Sequence, residues 1–340
     1  MNTLSPARIM EVGMAFWPAK VLLSAVELQL FTELGAKSMT GRELQDALRL
    51  HPRANPDFFD TLVALGFLDR DGAGPEARYR NTEETASFLD RHSPQFIGGF
   101  LEMANARLYR FWGDLTDALR TGSPQNEIKH TGASMFAELY SKPERLEQFM
   151  DAMSGISVGN FQALAEKFDF SRYRTVCDVG GATGLLSMLV ATKHPHLRCT
   201  TADLPAATLI AERKIEAAGL ADRISAKSLD FFAEPLPKAD VITMGMILHD
   251  WNLEKKMHLV RAAYDALPPG GAFVVIENLI DDERRENAFG LMMSLNMLIE
   301  FGDAFDFTAS DFFQWCREVG FSRTEVIPLA GSASAGVAYK

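Results

Sequence analysis

Cysteine is scarce: the 340-residue chain has three, Cys177, Cys199 and Cys316. They are far apart, odd in number and form no C-x-x-C pair, which excludes a disulfide framework and a thiolate zinc site and leaves them as reduced core residues. Positive charge is also in short supply. Lys plus Arg number 34 against 45 Asp plus Glu, a net charge of -11, which opposes nonspecific binding to nucleic acid or an anionic membrane and suits a neutral or cationic ligand. No stretch approaches the roughly 18 uninterrupted apolar residues of a membrane span. Residues 1–7 lack the basic start and apolar core of a signal peptide. These absences predict a cytoplasmic protein with no membrane or nucleic-acid partner. Internal repeats and low-complexity tracts are absent too. What is plentiful is hydrophobic surface, 47% of residues, more than one small core needs, so two lobes are expected.

Along the chain, residues 8–34 repeat apolar positions at helical spacing, and residues 41–48 and 55–65 read as short amphipathic helices, the second with Pro56 at its start. A turn-rich stretch at 67–74 and a short strand at 78–80 follow. Helices followed by a hairpin wing make a winged-helix pattern. Its usual role is DNA binding, but Arg42, Arg49 and Arg53 are offset by Glu43, Asp46, Asp57 and Asp60, a poor surface for phosphates. Residues 93–168 read as wholly helical, with Phe96, Ile97, Phe100, Leu101, Met103, Leu108, Phe111 and Trp112 on a broad apolar face. From about residue 171 strands alternate with helices: 175–179, 198–202, 224–228, 240–247 and 272–277. That alternation predicts a doubly wound α/β domain. The expected division is 1–95 as a winged-helix dimerisation domain, 96–168 as a helical region serving dimer and substrate pocket, and 169–340 as a cofactor-binding catalytic domain.

The chemistry concentrates at strand ends. Thr175 to Val179 runs into Gly180-Gly181-Ala182-Thr183-Gly184 and then a helix over 185–193, the layout of a nucleotide pocket. Glycines also serve ordinary tight turns. The spacing Asp178-x-Gly180-x-Ala182-x-Gly184 departs from the dinucleotide G-x-G-x-x-G. It is closer to the D-x-G-x-G-x-G turn of S-adenosylmethionine-dependent methyltransferases, with Ala182 at the middle glycine. Asp203, ending the second strand before Leu204, suits the two hydroxyls of a ribose, although Asp is equally at home as a helix cap. Asp230 can accept from an adenine amino group while Phe231 covers the ring. Met244 and Gly245, ending the fourth strand, complete the expected cofactor set. Three acidic strand ends with no basic residue in the turn favour a cationic, phosphate-free cofactor, which S-adenosylmethionine is.

The ensemble of Asp178 to Gly184, Asp203-Leu204-Pro205, Leu248-His249-Asp250-Trp251 and Pro268-Pro269-Gly270-Gly271 resembles the small-molecule O-methyltransferases, which include caffeate, hydroxyindole and bacterial natural-product enzymes. The resemblance spans nearly the whole chain. It implies a class I methyltransferase fold, Rossmann-like, behind an N-terminal winged-helix region that forms an intertwined homodimer. It also implies that His249 is a general base for an acceptor hydroxyl, and that Glu277 and Asp306 orient base and substrate beside Asp250. Asp306 departs from the more usual glutamate, which puts its reach in doubt. An imidazole with a pKa near 6.5 would suit the task, and activity is expected to fall below that pH. Met297 matches a family position that lines the acceptor site. Phe301, Phe305 and Phe307 could pack an aromatic acceptor or belong to the core. Arg107 and Arg110 interrupt an apolar helix; facing a cleft they would bind a substrate carboxylate, and otherwise they are surface or dimer-interface charges. His194 and His196 flank Pro195 in a surface turn, and no metal site is expected.

Two other functions fit the residues less well. Methylation of a thioether sulfur, or of carbon, would use the same fold, and a thioether would need no base. A winged-helix regulator that kept the cofactor fold as a ligand sensor is opposed by the acidic balance of its helices.

Overall fold

The computed structural model describes residues 4–132 and 143–340. The chain divides into two compact units, 1–110 and 111–340. In the first, the helical stretch read over 8–34 is broken into Ala7–Gly13, Phe16–Glu27 and Leu30–Leu34, the last entered through Gln29 in the left-handed conformation, φ 56°. The break turns Leu30, Phe31 and Leu34 into a core shared with Leu44, Phe59 and Leu62. Gly41–Ala47 begins at a capping box in which Thr40 and Glu43 satisfy each other's backbone N–H groups, and Asp57–Ala64 follows. Strands β1 (Met39–Thr40), β2 (Leu68–Asp71) and β3 (Arg78–Asn81) form an antiparallel sheet in the order β1-β3-β2. The segment expected as a turn at 67–74 therefore begins as a strand. Asp69, Arg70 and Asp71 carry little β-propensity, but Arg80 on β3 reaches both Asp69 and Asp71 across the pair.

Two of the arginines weighed for phosphate contact are engaged locally, Arg42 with Asp46 and Arg53 with Asp57, each four residues along the chain. Residues 7–27 hold a second departure. Among the described residues this 21-residue helical stretch is, by length and composition, long and apolar enough to cross a membrane, although Arg8, Glu11, Lys20 and Glu27 interrupt its apolar run. Ile9, Met10, Val12, Phe16 and Trp17 on it are exposed.

Nor is the region 93–168 wholly helical. Within the first unit Gly98–Met103 widens into a π-type turn over Ala104–Leu108. Within the second, Leu115–Thr121 stops at Gly122, φ 66°, and Pro124 follows before Ile128–Thr131; Pro143–Lys167 is a long helix. A left-handed glycine with a proline two residues on ends a helix whatever apolar pattern surrounds it.

The sheet of the second unit contains β4 (Thr175–Val179), β5 (Arg198–Asp203), β6 (Ile224–Ser228), β7 (Val241–Gly245), β8 (Ala272–Glu277), β9 (Arg323–Pro328) and β10 (Ser334–Tyr339), in the order β6-β5-β4-β7-β8-β10-β9. The five strands expected from the sequence are there and parallel. The fourth is shorter than expected because Met246 takes φ 55° and turns the chain. The last two strands make the sheet mixed, since β10 runs antiparallel to β8 and β9 to β10. They were not anticipated because Ser-Ala-Gly-Val-Ala-Tyr is a weak strand former; Gly336 is needed there because a Cβ would approach the Phe312 ring to 2.9 Å. Apolar clusters cover both faces, one around Val260, Phe273 and Phe312, the other around Leu186, Val190 and Ile215. Strand order reverses between β4 and β7, so the crevice at their carboxyl ends is where a ligand is expected.

That crevice begins at the turn after β4, where Gly180, Ala182 and Gly184 take φ 71°, 47° and 77°. Ala182 thus occupies a glycine conformation. Relieving it with Ala182→Gly gains about 1–2 kcal/mol, offset by about 0.4–1 kcal/mol of added unfolded-chain entropy and up to about 0.8 kcal/mol for the lost methyl. The Gly variant should therefore lie within about 1 kcal/mol of wild type, whereas Ala182→Val, β-branched at positive φ, should lose about 1–2 kcal/mol or more. Urea midpoints measure both. Equal losses would mean that packing, not backbone strain, governs this turn.

Candidate active site

Two groups of residues stand at the carboxyl ends of the parallel strands. The first surrounds the turn after β4. A Cβ on Gly180 would meet Ile247 at 2.3 Å, and one on Gly181 would meet Thr201 Oγ1 at 2.0 Å and Asp178 Oδ2 at 2.8 Å, so only backbone fits here. Asp178 is buried and accepts from Thr243 Oγ1 at 2.7 Å; burial pushes its carboxyl up to about 7. Asp203, next door on β5, braces the turn: Oδ2 accepts from the Ala182 N–H at 2.9 Å and Oδ1 from the Leu204 N–H at 2.7 Å. Leu204 leads directly into the helix Pro205–Ala217. Past β6, Asp230 is exposed and caps the Phe232 N–H at 3.0 Å. Phe231 is half-buried, edge-on to Phe232 and Trp251. Met244 is fully buried among core residues, so that only its backbone can meet a ligand, while Gly245 abuts the ring of Phe161. Backbone-only glycines, flanking carboxylates and an aromatic wall suit a cationic nucleoside without phosphates, and S-adenosylmethionine fits that chemistry.

The second group begins one strand over. β7 ends, Met246 turns the chain, and the short helical turn Leu248–Asp250 carries His249 and Asp250. Its register is held by Glu277 at the end of β8, whose Oε1 accepts from the Leu248 N–H at 3.0 Å. Asp306 arrives from the loop after helix Ala288–Phe301. The imidazole is enclosed by all three: Nε2 lies 3.3 Å from Asp250 Oδ1, and Nδ1 lies 3.4 Å from Asp306 Oδ1 and 3.8 Å from Glu277 Oε2. His249 Nδ1, Glu277 Oε2 and Asp306 Oδ2 are buried with no hydrogen-bond partner. The shorter aspartate at 306 thus does reach the imidazole. Donor atoms of His249, Glu277 and Asp306 lie within 4.8 Å of one another, close enough for a metal ion to share.

Burial alone would drive the His249 proton off, but Glu277, Asp250 and Asp306 outweigh it and raise the imidazole to about 10. The expected value near 6.5 is therefore corrected upward. Burial lifts Glu277 to about 7 and Asp250 to about 6, against the pull of His249.

The remaining sequence candidates separate. Met297 is buried and Phe301 half-buried on the helix Ala288–Phe301. Phe307 is core, packed on Phe312 and Trp315, whereas Phe305 is half-buried. Arg107 and Arg110 belong to the first unit, the former half-buried with its guanidinium 4.0 Å from Met103 Sδ, the latter exposed. His194 and His196 bond to the carbonyls of Ala165 and Phe170. The cysteines are free and buried.

Sequence reasoning missed two charged residues at this site. Glu300, buried on an apolar helix, is held by Asn126 Nδ2 at 2.9 Å. Lys256 is wholly buried, and burial draws its ammonium down to about 8 against Glu277, Asp306, Asp250 and Asp303. A signal existed for Lys256. It sits in the apolar stripe Lys256, Leu259, Val260, Ala263, Ala266 of the helix Leu253–Ala266, where an amphipathic helix places core residues.

Comparison with known proteins agrees with this geometry. The family model for the O-methyltransferase domain matches residues 112–322, and that for the O-methyltransferase dimerisation domain matches residues 10–91. The tetracenomycin polyketide synthesis 8-O-methyl transferase TcmO of Streptomyces glaucescens is 36% identical over 335 residues, covering 98% of this chain and 97% of the relative. The 3-hydroxy-5-methyl-1-naphthoate 3-O-methyltransferase of Streptomyces sahachiroi is 32% identical, covering 98% and 94%. The crystal structure of human N-acetylserotonin methyltransferase in complex with SAM superposes with a TM-score of 0.91 at 27% identity, covering 100% and 99%. Neither a ligand-sensing regulator nor sulfur or carbon methylation is favoured by these matches. With a class I methyltransferase sheet, a dimerisation domain and a turn shaped for its sulfonium cofactor, the chain belongs to the O-methyltransferase family and is an S-adenosylmethionine-dependent methyltransferase of small molecules.

Proposed function

We propose that this enzyme methylates a hydroxyl on a fused-ring aromatic small molecule, with His249 as the general base. The names of TcmO and of the naphthoate enzyme support that acceptor class, and the apolar side chains of Met297 and Phe301 suit it. Arg107 and Arg110 remain candidates for an acidic group on the acceptor. Asp178, Gly180, Gly181, Gly184, Asp203, Leu204, Asp230, Phe231, Met244 and Gly245 make the cofactor side, Asp203 facing the ribose, and Asp230 and Phe231 the adenine. S-adenosylmethionine, when bound, supplies an electrophilic methyl carbon on a positive sulfur.

The observation that carries the base assignment is the imidazole enclosed by Asp250, Glu277 and Asp306. Two carboxylates on the Nδ1 side favour a proton there and leave Nε2, on the Asp250 side at 3.3 Å from Oδ1, as the nitrogen that takes the proton of the acceptor hydroxyl. The hydroxyl proton then passes to Nε2, where the same carboxylates stabilise the imidazolium. His249→Gln should retain the fold and affinity for S-adenosylhomocysteine while turnover falls by about 10²- to 10⁴-fold. The raised pKa sets the sign of the pH dependence. A base that holds its proton above the ordinary value is neutral only at higher pH, so kcat/KM should still be climbing above pH 7.5, with its acid limb between 6.5 and about 10. A limb at or below 6.5, or near wild-type turnover in the Gln variant, would sink the assignment.

The active form in this reading is a cytoplasmic homodimer with no nucleic-acid or membrane partner. Support comes from the dimerisation-domain match over residues 10–91 and from the exposed Ile9, Met10, Val12, Phe16 and Trp17, which a second copy would cover. Light scattering at micromolar concentration should return twice the chain mass. A fully active monomer would refute this.

A further inference from the structure

Lys256 is the least expected charge in the molecule. Bringing an ammonium out of water costs several kcal/mol unless partners compensate it, yet this one is 0% exposed on the core stripe of its helix. Its surroundings account for it. Nζ donates to the carbonyl of Trp251, the residue that follows the His249–Asp250 pair. It lies over the face of Phe305, 3.6 Å from the ring centroid, and 5.8 Å from that of Phe307, contacts of the cation–π kind. Phe305 and Phe307 are the two chain neighbours of Asp306. The side chains of Glu277, Asp306, Asp250 and Asp303 supply the negative field around it.

One buried side chain thus contacts both stretches that carry the partners of the 3.4 Å contact between His249 and Asp306: the end of the turn bearing the imidazole through the Trp251 carbonyl, and the loop bearing the carboxylate through the rings on either side of Asp306. The exposed Asn252 Nδ2 bond to Asp303 at 2.8 Å joins the same stretches of chain at the surface. We propose that Lys256 is a positioning residue, a buried clamp that sets where Asp306 stands against His249 and so lets an aspartate serve at that place. The proposal rests on the reading of His249 as base. Lys256 itself touches no substrate and exchanges no proton in the reaction.

The test is a double-mutant cycle. Lys256→Met retains the length and apolar packing of the stem and removes the charge and the donor. Alone it should lower kcat by about 10²-fold, the scale of an ångström-sized misplacement, with the KM for both substrates and the affinity for S-adenosylhomocysteine unchanged. Placed on Asp306→Asn it should cost less than about threefold further, because the group it positions is already disabled. Should the Met variant not fold, Lys256→Gln, which retains a donor for the Trp251 carbonyl but no charge, replaces it in the cycle. The clamp is refuted by turnover within about threefold of wild type, by losses that add with Asp306→Asn, or by a kcat loss matched by lost cofactor affinity. His249→Gln run alongside separates the two readings. If it is inactive while Lys256→Met is unimpaired, only the clamp fails; if it turns over normally, the base assignment fails and the clamp with it.

Discussion

The enclosure of one imidazole by three carboxylates is the constraint around which the second unit is arranged. An imidazole in a dry interior prefers to be neutral, and a carboxylate there prefers to be protonated. Placed together, each makes the other's charged form affordable. His249 is raised rather than lowered by its burial site because Glu277, Asp250 and Asp306 act on it at 3.3 to 3.8 Å. Removing His249 would leave three buried carboxylates facing one another, and the titration of each member depends on the others, so the group is best regarded as one titrating unit.

Each member is delivered by a different part of the sheet. His249 and Asp250 follow β7, Glu277 ends β8, and Asp306 comes from a loop tied to the segment just past β8 by the pairing of Ile280 with Thr308. Thr308 also begins the helix Ala309–Val319 with a capping box to Asp311, fixing the chain two residues from Asp306. The reversal of strand order beside β4 opens the crevice, and the turn after β4 faces it with backbone rather than side chains. The backbone strain is spent here: Ala182 and Met246 are the two left-handed non-glycine residues of the second unit that border the crevice, and strained φ values commonly gather at working sites.

The first unit has a different logic. Its core is small, built from Leu30, Phe31, Leu44, Phe59 and Leu62, and its first helices leave Phe16 and Trp17 in solvent. Charge pairs such as Arg53 with Asp57 and Arg42 with Asp46 are exposed and contribute little to stability. They do, however, occupy arginines that a nucleic-acid surface would need.

Local rules made much of this legible in advance. Period-two and continuous apolar runs marked the five parallel strands, and Gly180 to Gly184 the backbone-lined turn proposed for the cofactor, because each is a property of a few consecutive residues. Leu248-His249-Asp250-Trp251 marked the proposed base by its place at a strand end. The C-terminal strands and the strand at Asp69 to Asp71 escaped, since small or charged residues become strands only when a neighbour pairs with them; the helix break at Gly122 carried a local glycine and proline signal that the surrounding apolar pattern masked. What tertiary structure alone decided is electrostatic. The pKa of His249, the reach of Asp306 and the carboxylates and rings that surround Lys256 depend on groups separated by up to 57 positions in the chain, from His249 to Asp306, and on the exclusion of water around them. No local pattern encodes a dielectric environment, which exists only once the chain has packed.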